Sequence, residues 1–536
     1  MATNQLKAGA ILNYVILGLN ALTGLLYTPY MLRMLGQNEY GIYTLAASVI
    51  AYLSLLDFGL GNAVVRYTAK MRAKEDKEGQ YSLFGTFTIV YSIIGLIALI
   101  AGLILWANTD NLFGSTMTAD ELEQTRTVIL LMVLNVAVSF PLSIYGSIIT
   151  AYENFIFLRV VAIIRILVST GVLVLILYFG HKAVGLVVVQ TIFNLIGLLI
   201  NAVYCNKKLR IKMRFNNFNW PLIREIAVYS FWIFLNVIMD RIYWSTGQFV
   251  LGVTAGPTTV AIYGIAITIM AIYMSYSTAI AGVLLPRITS MVTCNASDRD
   301  ISDLFIRTGR LQFIIMSLIL SGFIVFGAPF IRIWAGPDYT GAYPIATIFL
   351  TALLIPLIQN VGITILQARN QMRFRSLLYV SIAIVSLGAQ ILLAPDYGGI
   401  GCAFAIGAAL LLGQGLIMNI YYQRKQHIDI LKFWCEIGRM MPIPVLMTII
   451  GLYIVNSLPE LSISQILLAM AMYITIYIPL FWICSMNRKL PELFYGIFAH
   501  QTKIIIFKSK TLCHCFSDSS GCPCYQRPFP HVVLLN

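Results

Sequence analysis

The sequence contains a long series of apolar segments, most of them long enough to cross a lipid bilayer. A helix that spans the hydrocarbon core needs about 20 predominantly apolar residues. Fourteen segments meet this requirement, and they lie near residues 8–32, 40–65, 82–107, 126–151, 158–179, 183–204, 226–253, 258–284, 309–333, 343–367, 374–394, 398–421, 437–457 and 463–485. Only 11% of the residues are charged, against about 25% in a soluble domain. We therefore expect an all-α polytopic membrane protein with about 14 transmembrane helices.

The basic residues alternate between successive loops. If the N-terminus lies in the cytoplasm, 30 of the 36 Lys and Arg residues fall in cytoplasmic loops or the tail, four fall in outer loops and two fall within helices. This asymmetry is typical of positive-inside insertion and predicts that both termini are cytoplasmic. The net charge of +14 is spread over every second loop and is not gathered on one face. It therefore argues for contact with anionic membrane lipids and against nucleic-acid binding.

The first hairpin has a counterpart 220 residues later. The matched positions are Gly36, Ile42, Tyr43, Ala46 and Ala51, which correspond to Gly256, Ile262, Tyr263, Ala266 and Ala271. Both copies follow a short outer turn, and both predicted halves start in the cytoplasm, as in transporters built from parallel repeats. We expect an N-terminal lobe over residues 1–212 and a C-terminal lobe over 213–428, each with six helices. Two further helices lie within 429–490, and 491–536 is predicted to be a disordered cytoplasmic tail.

The seventh predicted helix carries charges near its middle. Asp240 and Arg241 lie far from both ends of the segment 226–253, and charged side chains at membrane depth are costly unless they face a cavity or a partner. They either line a substrate cavity or form a salt bridge that fixes two helices. Tyr243 and Trp244 follow the pair and could stack on sugar rings, although packing or lipid-facing aromatics are the alternative.

Four other charged residues are candidates for function. Asp57 lies within the second predicted helix, where it either bonds to a neighbouring helix or faces an internal cavity. Arg165 lies about two turns into the fifth predicted helix and either serves the cavity or extends to the lipid headgroups. Arg66 and Arg287 lie at corresponding inner ends of the two lobes and could form a cytoplasmic rim, although ordinary topogenic cations are the alternative.

The tail contains four of the nine cysteines, in the pattern Cys513-His514-Cys515 and Cys522-Pro523-Cys524. Four thiolates suit tetrahedral zinc, but this spacing is tighter than the usual zinc-site spacing. We expect no metal site. The sequence also lacks the G-x4-G-K-[S/T] loop of nucleotide-binding proteins. Transport would therefore depend on an H⁺ or Na⁺ gradient or on the membrane potential, with Asp57 and Asp240 as the carboxylates able to bind the ion.

One helical hairpin resembles a known family. The matching residues are Leu35-Gly36, Tyr40-Gly41-Ile42-Tyr43, Asp57-Phe58-Gly59 and Arg66-Tyr67. The stretch that contains them resembles the N-terminal signature of bacterial polysaccharide-biosynthesis flippases, which are the Wzx-type members of the multidrug/oligosaccharidyl-lipid/polysaccharide exporter superfamily. Family-like helix order extends from about residue 5 to about residue 485.

The resemblance implies a transport function, and we expect the protein not to be an enzyme. The cargo would be a polyprenyl pyrophosphate-linked oligosaccharide, moved from the cytoplasmic to the outer leaflet of the bacterial inner membrane for O-antigen, capsule or exopolysaccharide synthesis. A polysaccharide polymerase and glycosyltransferases of the same pathway would be partners. Two alternatives stay open: an ion-coupled multidrug exporter of the same superfamily, and a membrane polysaccharide polymerase or ligase. The short outer loops argue against the second.

Overall fold

The structure is a computed structural model, and it describes residues 2–57, 59–215, 234, 238–293, 296–369, 371–457 and 462–485. This part of the chain contains helices and no strand. The helices that precede residue 215 are α1 Ala2–Leu53, α2 Leu60–Ala73, α3 Lys77–Ala107, α4 Thr109–Phe113, α5 Ala119–Ala151, α6 Phe155–Tyr178 and α7 Ala183–Lys207. The later helices are α8 Thr246–Thr254, α9 Pro257–Thr293, α10 Asp298–Trp334, α11 Ala342–Ile358, α12 Asn360–Ala368, α13 Arg373–Leu410, α14 Met418–Lys425, α15 Ile430–Met440, α16 Pro442–Ser457 and α17 Ile463–Ser485.

The described residues contain 11 helical stretches that are long and apolar enough to cross a membrane. Two of them, Ile11–Ala73 with 63 residues and Arg373–Lys425 with 53 residues, are each much longer than the roughly 20 residues that one crossing needs. Most of the predicted span 226–253 lies outside the described residues. The polytopic helical fold is therefore confirmed, whereas the number fourteen and the lobe boundaries stay predictions.

By its internal contacts the chain divides into a unit Met1–Tyr477 and a unit Ile478–Asn536. The first unit contains all the sites discussed below. Only residues 478–485 of the second unit are described, and they form the end of α17. The predicted tail 491–536, with its four cysteines, lies outside the described residues.

A turn interrupts α1 at the position that the sequence predicts. Gly36 has φ 74° and ψ 175° within the helical stretch, and its repeat counterpart Gly256 has φ 81° just before α9. A residue with a Cβ rarely adopts a positive φ, so both turns require glycine. The two matched glycines thus have the same backbone conformation at the start of matched helices, which supports the parallel repeat.

The second predicted helix is not continuous, so one sequence prediction is wrong. The helix that crosses 40–65 ends at Leu53, a 3₁₀ turn covers Ser54–Asp57, and α2 begins at Leu60. Gly59 has φ 68° at the break, a conformation that glycine adopts without steric cost. Asp57 therefore lies at a helix break and not inside a helix. A carboxylate suits this position because the break leaves backbone N–H groups without helical partners.

The two halves of the molecule meet where α1 and α9 pack together. A Cβ on Gly41 would lie 1.9 Å from the carbonyl oxygen of Pro257. One turn further along α1 and two turns further along α9, a Cβ on Gly264 would lie 3.3 Å from the side chain of Thr44. Glycine at Gly41 therefore allows a backbone-to-backbone approach that no other residue permits without movement of one helix.

Polar contacts connect the neighbouring turns of the two halves. Arg33 donates from Nη2 to the carbonyl oxygen of Ile333 at 3.1 Å, and Gln37 donates from Nε2 to the carbonyl oxygen of Asp338 at 2.5 Å. All four residues lie in or next to the turns that the charge pattern places on the outer side. The halves are thus closed against each other at the end predicted to be outer.

Cysteine labelling from each side of the membrane tests the predicted topology. In a variant without native cysteines, single cysteines at Asp110, Thr254 and Asn456 should react with an impermeant maleimide added outside intact cells. Cysteines at Lys74, Lys212 and Lys425 should react only after the membrane is permeabilised, because the positive-inside pattern places their loops in the cytoplasm. An inverted result at two or more of the six sites would contradict the topology.

Candidate functional site

Four candidate residues lie together on one helical segment near the middle of the seventh predicted helix. Residues 238–244 are helical and lead into α8. Asp240 is exposed, Arg241 and Trp244 are partly exposed, and Tyr243 is buried with 4% of its surface accessible. A carboxylate that faced lipid would be costly, so we expect Asp240 to face water or the cations next to it.

A second helix completes the cluster with a cation and a ring. The guanidinium carbon of Arg375 on α13 lies 4.2 Å from the centre of the Tyr379 ring. Tyr379 in turn makes an edge contact with Tyr243, at 6.4 Å between ring centroids and an interplanar angle of 74°. Helices α8 and α13 pack against each other. The segment 238–244 therefore lies next to the start of α13.

The charges in this cluster are not neutralised in pairs. Asp240 interacts electrostatically with both Arg375 and Arg241. Among the residues that the structure describes, however, neither arginine forms an ion pair with a carboxylate. One carboxylate thus lies between two cations, and the cluster has a surplus of positive charge.

Other cations of the same half show the contrast. Arg369 pairs with Asp298 at 2.7 Å, and Lys432 pairs with Asp303 at 3.0 Å. The carboxylate of Glu436 accepts from Arg310 at 3.1 Å. These bridges tie α10 to α15 and to the end of α12, so they are explained as structural contacts. Arg241 and Arg375 have no such explanation, which makes them candidates for binding an anion.

Sequence reasoning missed Arg375. The prediction counted it in a cytoplasmic loop with Arg369 and Arg373, although the predicted apolar segment begins near residue 374. In the structure α13 begins at Arg373, so Arg375 lies on the first turn of the helix. A signal was present: Arg375 and Tyr379 are four residues apart, the spacing that brings two side chains together on one helical face.

Asp57 belongs to a different part of the molecule. Its carboxylate lies next to the hydroxyl of Tyr91 on α3 and the backbone N–H of Gly59. The Tyr91 hydroxyl also lies next to Ser143 on α5. Asp57 thus joins the helix break between α1 and α2 to two neighbouring helices, as the structural alternative in the sequence analysis proposed. A role in ion coupling stays open.

The remaining predicted arginines are not part of the cluster. Arg165 is exposed on α6, and its Cδ lies 3.5 Å from the position of a Cβ on Gly197 of α7. Arg66 is exposed on α2, with its guanidinium carbon 5.9 Å from the ring centre of Tyr67. The backbone of Arg287 is part of α9, but its side chain lies outside the described residues.

The side chains of the cluster suit an anionic ligand that carries a sugar. Two guanidinium groups can each make paired hydrogen bonds to phosphate oxygens, and the partly exposed ring of Trp244 offers a flat surface for stacking. Among the described residues, no group of three or more His, Cys, Asp or Glu side chains is placed to hold a metal ion.

Two proteins of similar sequence are assigned as O-antigen transporters. The chain is 19% identical over 399 residues to a protein of Shigella flexneri assigned as an O-antigen transporter, which covers 73% of this chain and 92% of the relative. It is 23% identical over 440 residues to a protein of Escherichia coli strain K12 with the same assignment, which covers 79% of this chain and 99% of the relative.

Solved structures share the fold. The lipid II flippase MurJ in an inward closed conformation superimposes with a TM-score of 0.66 at 14% identity, covering 92% of this chain and 99% of that one. A multidrug resistance MATE family transporter of the MOP superfamily, in an inward-facing conformation, gives a TM-score of 0.59 at 14% identity, covering 76% and 98%. At this level of identity the likeness establishes the fold.

A family-level match covers more than half of the chain. The sequence profile described as "Polysaccharide biosynthesis protein" matches residues 6–292. This range includes the hairpin with Tyr40-Gly41-Ile42-Tyr43 and the segment with Asp240 and Arg241. The chain belongs to the polysaccharide biosynthesis protein family.

Proposed function

We propose that the protein is a flippase that moves a lipid-linked oligosaccharide from the cytoplasmic leaflet to the outer leaflet of a bacterial inner membrane. The cargo is an oligosaccharide joined through pyrophosphate to a polyprenyl chain. Membership of the family, the assigned transport of O-antigen by its relatives and the MurJ-like fold all support this proposal.

The observation that carries the proposal is the positive surplus of the site beside α13. Asp240 interacts with Arg241 and Arg375 together, so within the described part of the chain two cations share one carboxylate. A pyrophosphate loses its hydration when it enters a space between apolar helices, and cations must offset that cost. An exporter of organic cations would need the opposite, a site in which carboxylates are in excess.

The energy source is part of the proposal. We infer that an H⁺ or Na⁺ gradient or the membrane potential drives transport, with Asp240 or Asp57 as the carboxylate that binds the ion. Asp57 lies at a helix break next to Tyr91, and breaks of this kind often hold coupling ions in transporters. Asp240 lies in the headgroup site itself, so an ion there would compete with the arginines.

The cellular setting follows from the same proposal. Both termini lie in the cytoplasm, and the basic loops contact anionic lipids of the inner leaflet. Glycosyltransferases on the cytoplasmic side supply the lipid-linked unit, and a polysaccharide polymerase on the outer side consumes it. The protein itself performs no reaction.

Deletion of the gene in its own host tests the function. We expect loss of surface polysaccharide and accumulation of the lipid-linked repeat unit, with the unit inaccessible to a glycosidase added outside spheroplasts. The wild-type gene on a plasmid should restore the polysaccharide, and the empty plasmid should not. Extraction of the lipid and immunoblotting of surface glycan provide the measurements.

The three functional classes give different outcomes in this experiment. A missing polymerase would leave single repeat units on the cell surface, and a missing ligase would leave the unit exposed on the outer leaflet. A missing drug exporter would leave surface polysaccharide intact and change the sensitivity to cationic dyes. Any of these three results would contradict the flippase proposal.

A further inference from the structure

We infer that Arg375 is a second cation of the headgroup site and that Asp240 occupies this site until the diphosphate of the cargo replaces it. The inference rests on the proposed function, and it adds a residue, its positioning partner Tyr379 and an exchange mechanism to that function. Its evidence is the unsatisfied guanidinium of Arg375, the exposure of Asp240 and the contact between the two helices that carry them.

The guanidinium of Arg375 has hydrogen-bonding capacity to spare. Its Nε is buried and has no hydrogen-bond partner, and among the described residues the group forms no ion pair. A buried N–H without a partner is unfavourable. The guanidinium carbon lies 4.2 Å from the centre of the Tyr379 ring, and the group also hydrogen-bonds with the Tyr379 side chain. The Nε–H group has no partner and is available for an anion.

Tyr379 holds Arg375 in place. Its ring lies under the guanidinium and makes the edge contact with Tyr243 on the neighbouring segment. Stacking on a ring fixes the orientation of an arginine without neutralising its charge. Tyr379 is therefore a positioning residue, and Arg375 is the group that contacts the ligand.

In the absence of cargo, Asp240 provides the negative charge that a phosphate provides when the cargo is bound. It lies within electrostatic range of Arg375 and Arg241 without forming an ion pair to either, and it is exposed. A carboxylate has one charge and two oxygens, whereas the diphosphate of the cargo, esterified at both ends, has two charges and more oxygens. A diphosphate can therefore bond to both arginines at once and displace Asp240.

The position of Arg375 explains which phosphate source the site selects. Arg375 lies at the start of α13, next to the loop that the charge pattern places in the cytoplasm. A lipid-linked precursor presents its diphosphate on that side, so it meets Arg375 before it reaches the closed contact of α1 and α9. A phospholipid has a single phosphodiester with one charge, which cannot replace Asp240 and span two arginines together.

Binding of farnesyl diphosphate to the full-length protein in nanodiscs tests the inference. We expect Arg375→Gln to weaken binding about tenfold or more, because a charge-assisted contact is lost. Arg375→Lys should retain part of the affinity, since lysine keeps the charge without the planar fork. The matched control is Arg373→Gln, which removes an exposed arginine two residues away on the same helix and should bind like wild type.

The Asp240→Asn variant provides a readout that a purely structural role would not produce. If Asp240 competes with the ligand, this variant should bind farnesyl diphosphate several-fold more tightly than wild type at an unchanged melting temperature. Tyr379→Leu should weaken binding more than Tyr379→Phe, because phenylalanine keeps the ring that Arg375 lies over and loses only the hydroxyl that hydrogen-bonds with it. Tighter binding together with the loss in Arg375→Gln supports the exchange.

The controls separate the failure of this inference from that of the proposed function. If wild type does not bind farnesyl diphosphate in preference to farnesol, the proposed function itself is contradicted. If wild type binds it and Arg375→Gln binds equally well, or if Asp240→Asn lowers both affinity and melting temperature, only the inference is wrong. Competition by phosphatidylglycerol vesicles at equal lipid phosphate would show a phospholipid site and would also overturn the inference.

Discussion

Gly41→Ala is expected to lower export of surface polysaccharide about tenfold or more while the protein still inserts into the membrane. The added Cβ would lie 1.9 Å from the carbonyl oxygen of Pro257, a distance that real Cβ atoms do not adopt. Because the clash is with backbone, no side chain can rotate away, and α1 must separate from α9. Overpacking of this kind costs about 1–3 kcal/mol, and each 1.4 kcal/mol is about a tenfold change in population.

The loss of export follows from which state is destabilised. The α1–α9 contact closes the two halves at the end predicted to be outer, so Gly41→Ala disfavours the state that is open toward the cytoplasm. Cargo that enters from the cytoplasm needs this state, and export should fall with its population. The measurement is surface glycan in a flippase-deficient host, with the amount of the variant quantified in the same membranes.

The same substitution elsewhere on the helix is the matched control. Gly24 lies on α1 as well, and a Cβ there would meet nothing within 4 Å. Gly24→Ala should therefore export like wild type, since alanine is a better helix former than glycine. Equal export from Gly41→Ala and Gly24→Ala would show that the closed contact is not part of the transport cycle.

The transmembrane helices could be predicted because hydropathy depends on local sequence alone. The predicted segment 183–204 corresponds to Ala183–Lys207, and 463–485 to Ile463–Ser485. The turn at Gly36 was predictable for a different reason: its repeat counterpart Gly256 shows the same residue at the matched position, and both have positive φ. An internal repeat thus shows the same glycine twice, which makes a turn at that position a stronger prediction than one glycine alone would.

The break at Asp57 could not be predicted in the same way. Hydropathy over 40–65 is continuous, and a glycine within an apolar segment is compatible with an unbroken helix. The break depends on the positive φ of Gly59, together with the position of Tyr91 on α3 next to the carboxylate. The contact with Tyr91 is a tertiary contact, since Tyr91 is 34 positions from Asp57 in the sequence.

The candidate site was predicted in part, and the missing half came from a distant segment. Asp240, Arg241, Tyr243 and Trp244 were identified because charges and aromatics in an apolar helix stand out in the sequence. Arg375 did not stand out, since it follows Arg369 and Arg373 in a basic stretch. Only the structure separates them: Arg369 pairs with Asp298, whereas Arg375 stacks on Tyr379 beside Asp240.

Arg241→Ala is expected to reduce export to the level of the flippase-deficient host, with normal amounts of protein in the membrane. Arg241 interacts with Asp240 and has no ion-pair partner among the described residues, so its removal leaves the other contacts of the site in place. A lost charge-assisted hydrogen bond costs about 1.5–3 kcal/mol, and the paired bonds of a guanidinium to a phosphate cost more. Arg241→Lys should retain part of the export, because the charge stays and the planar fork is lost.

A double replacement separates binding from structure. If Arg241 and Asp240 formed only a structural pair, Arg241→Ala would lower stability by leaving Asp240 uncompensated, and Asp240→Asn with Arg241→Gln would restore both stability and export. We expect the double variant to be stable and still inactive, because it lacks the cation that binds the headgroup. The matched control is Arg439→Ala, which removes an exposed cation whose bridge to Glu436 is at the surface and should change export little. Normal export from the double variant would exclude Arg241 as a headgroup cation, and Arg165→Ala would then be the next variant to measure.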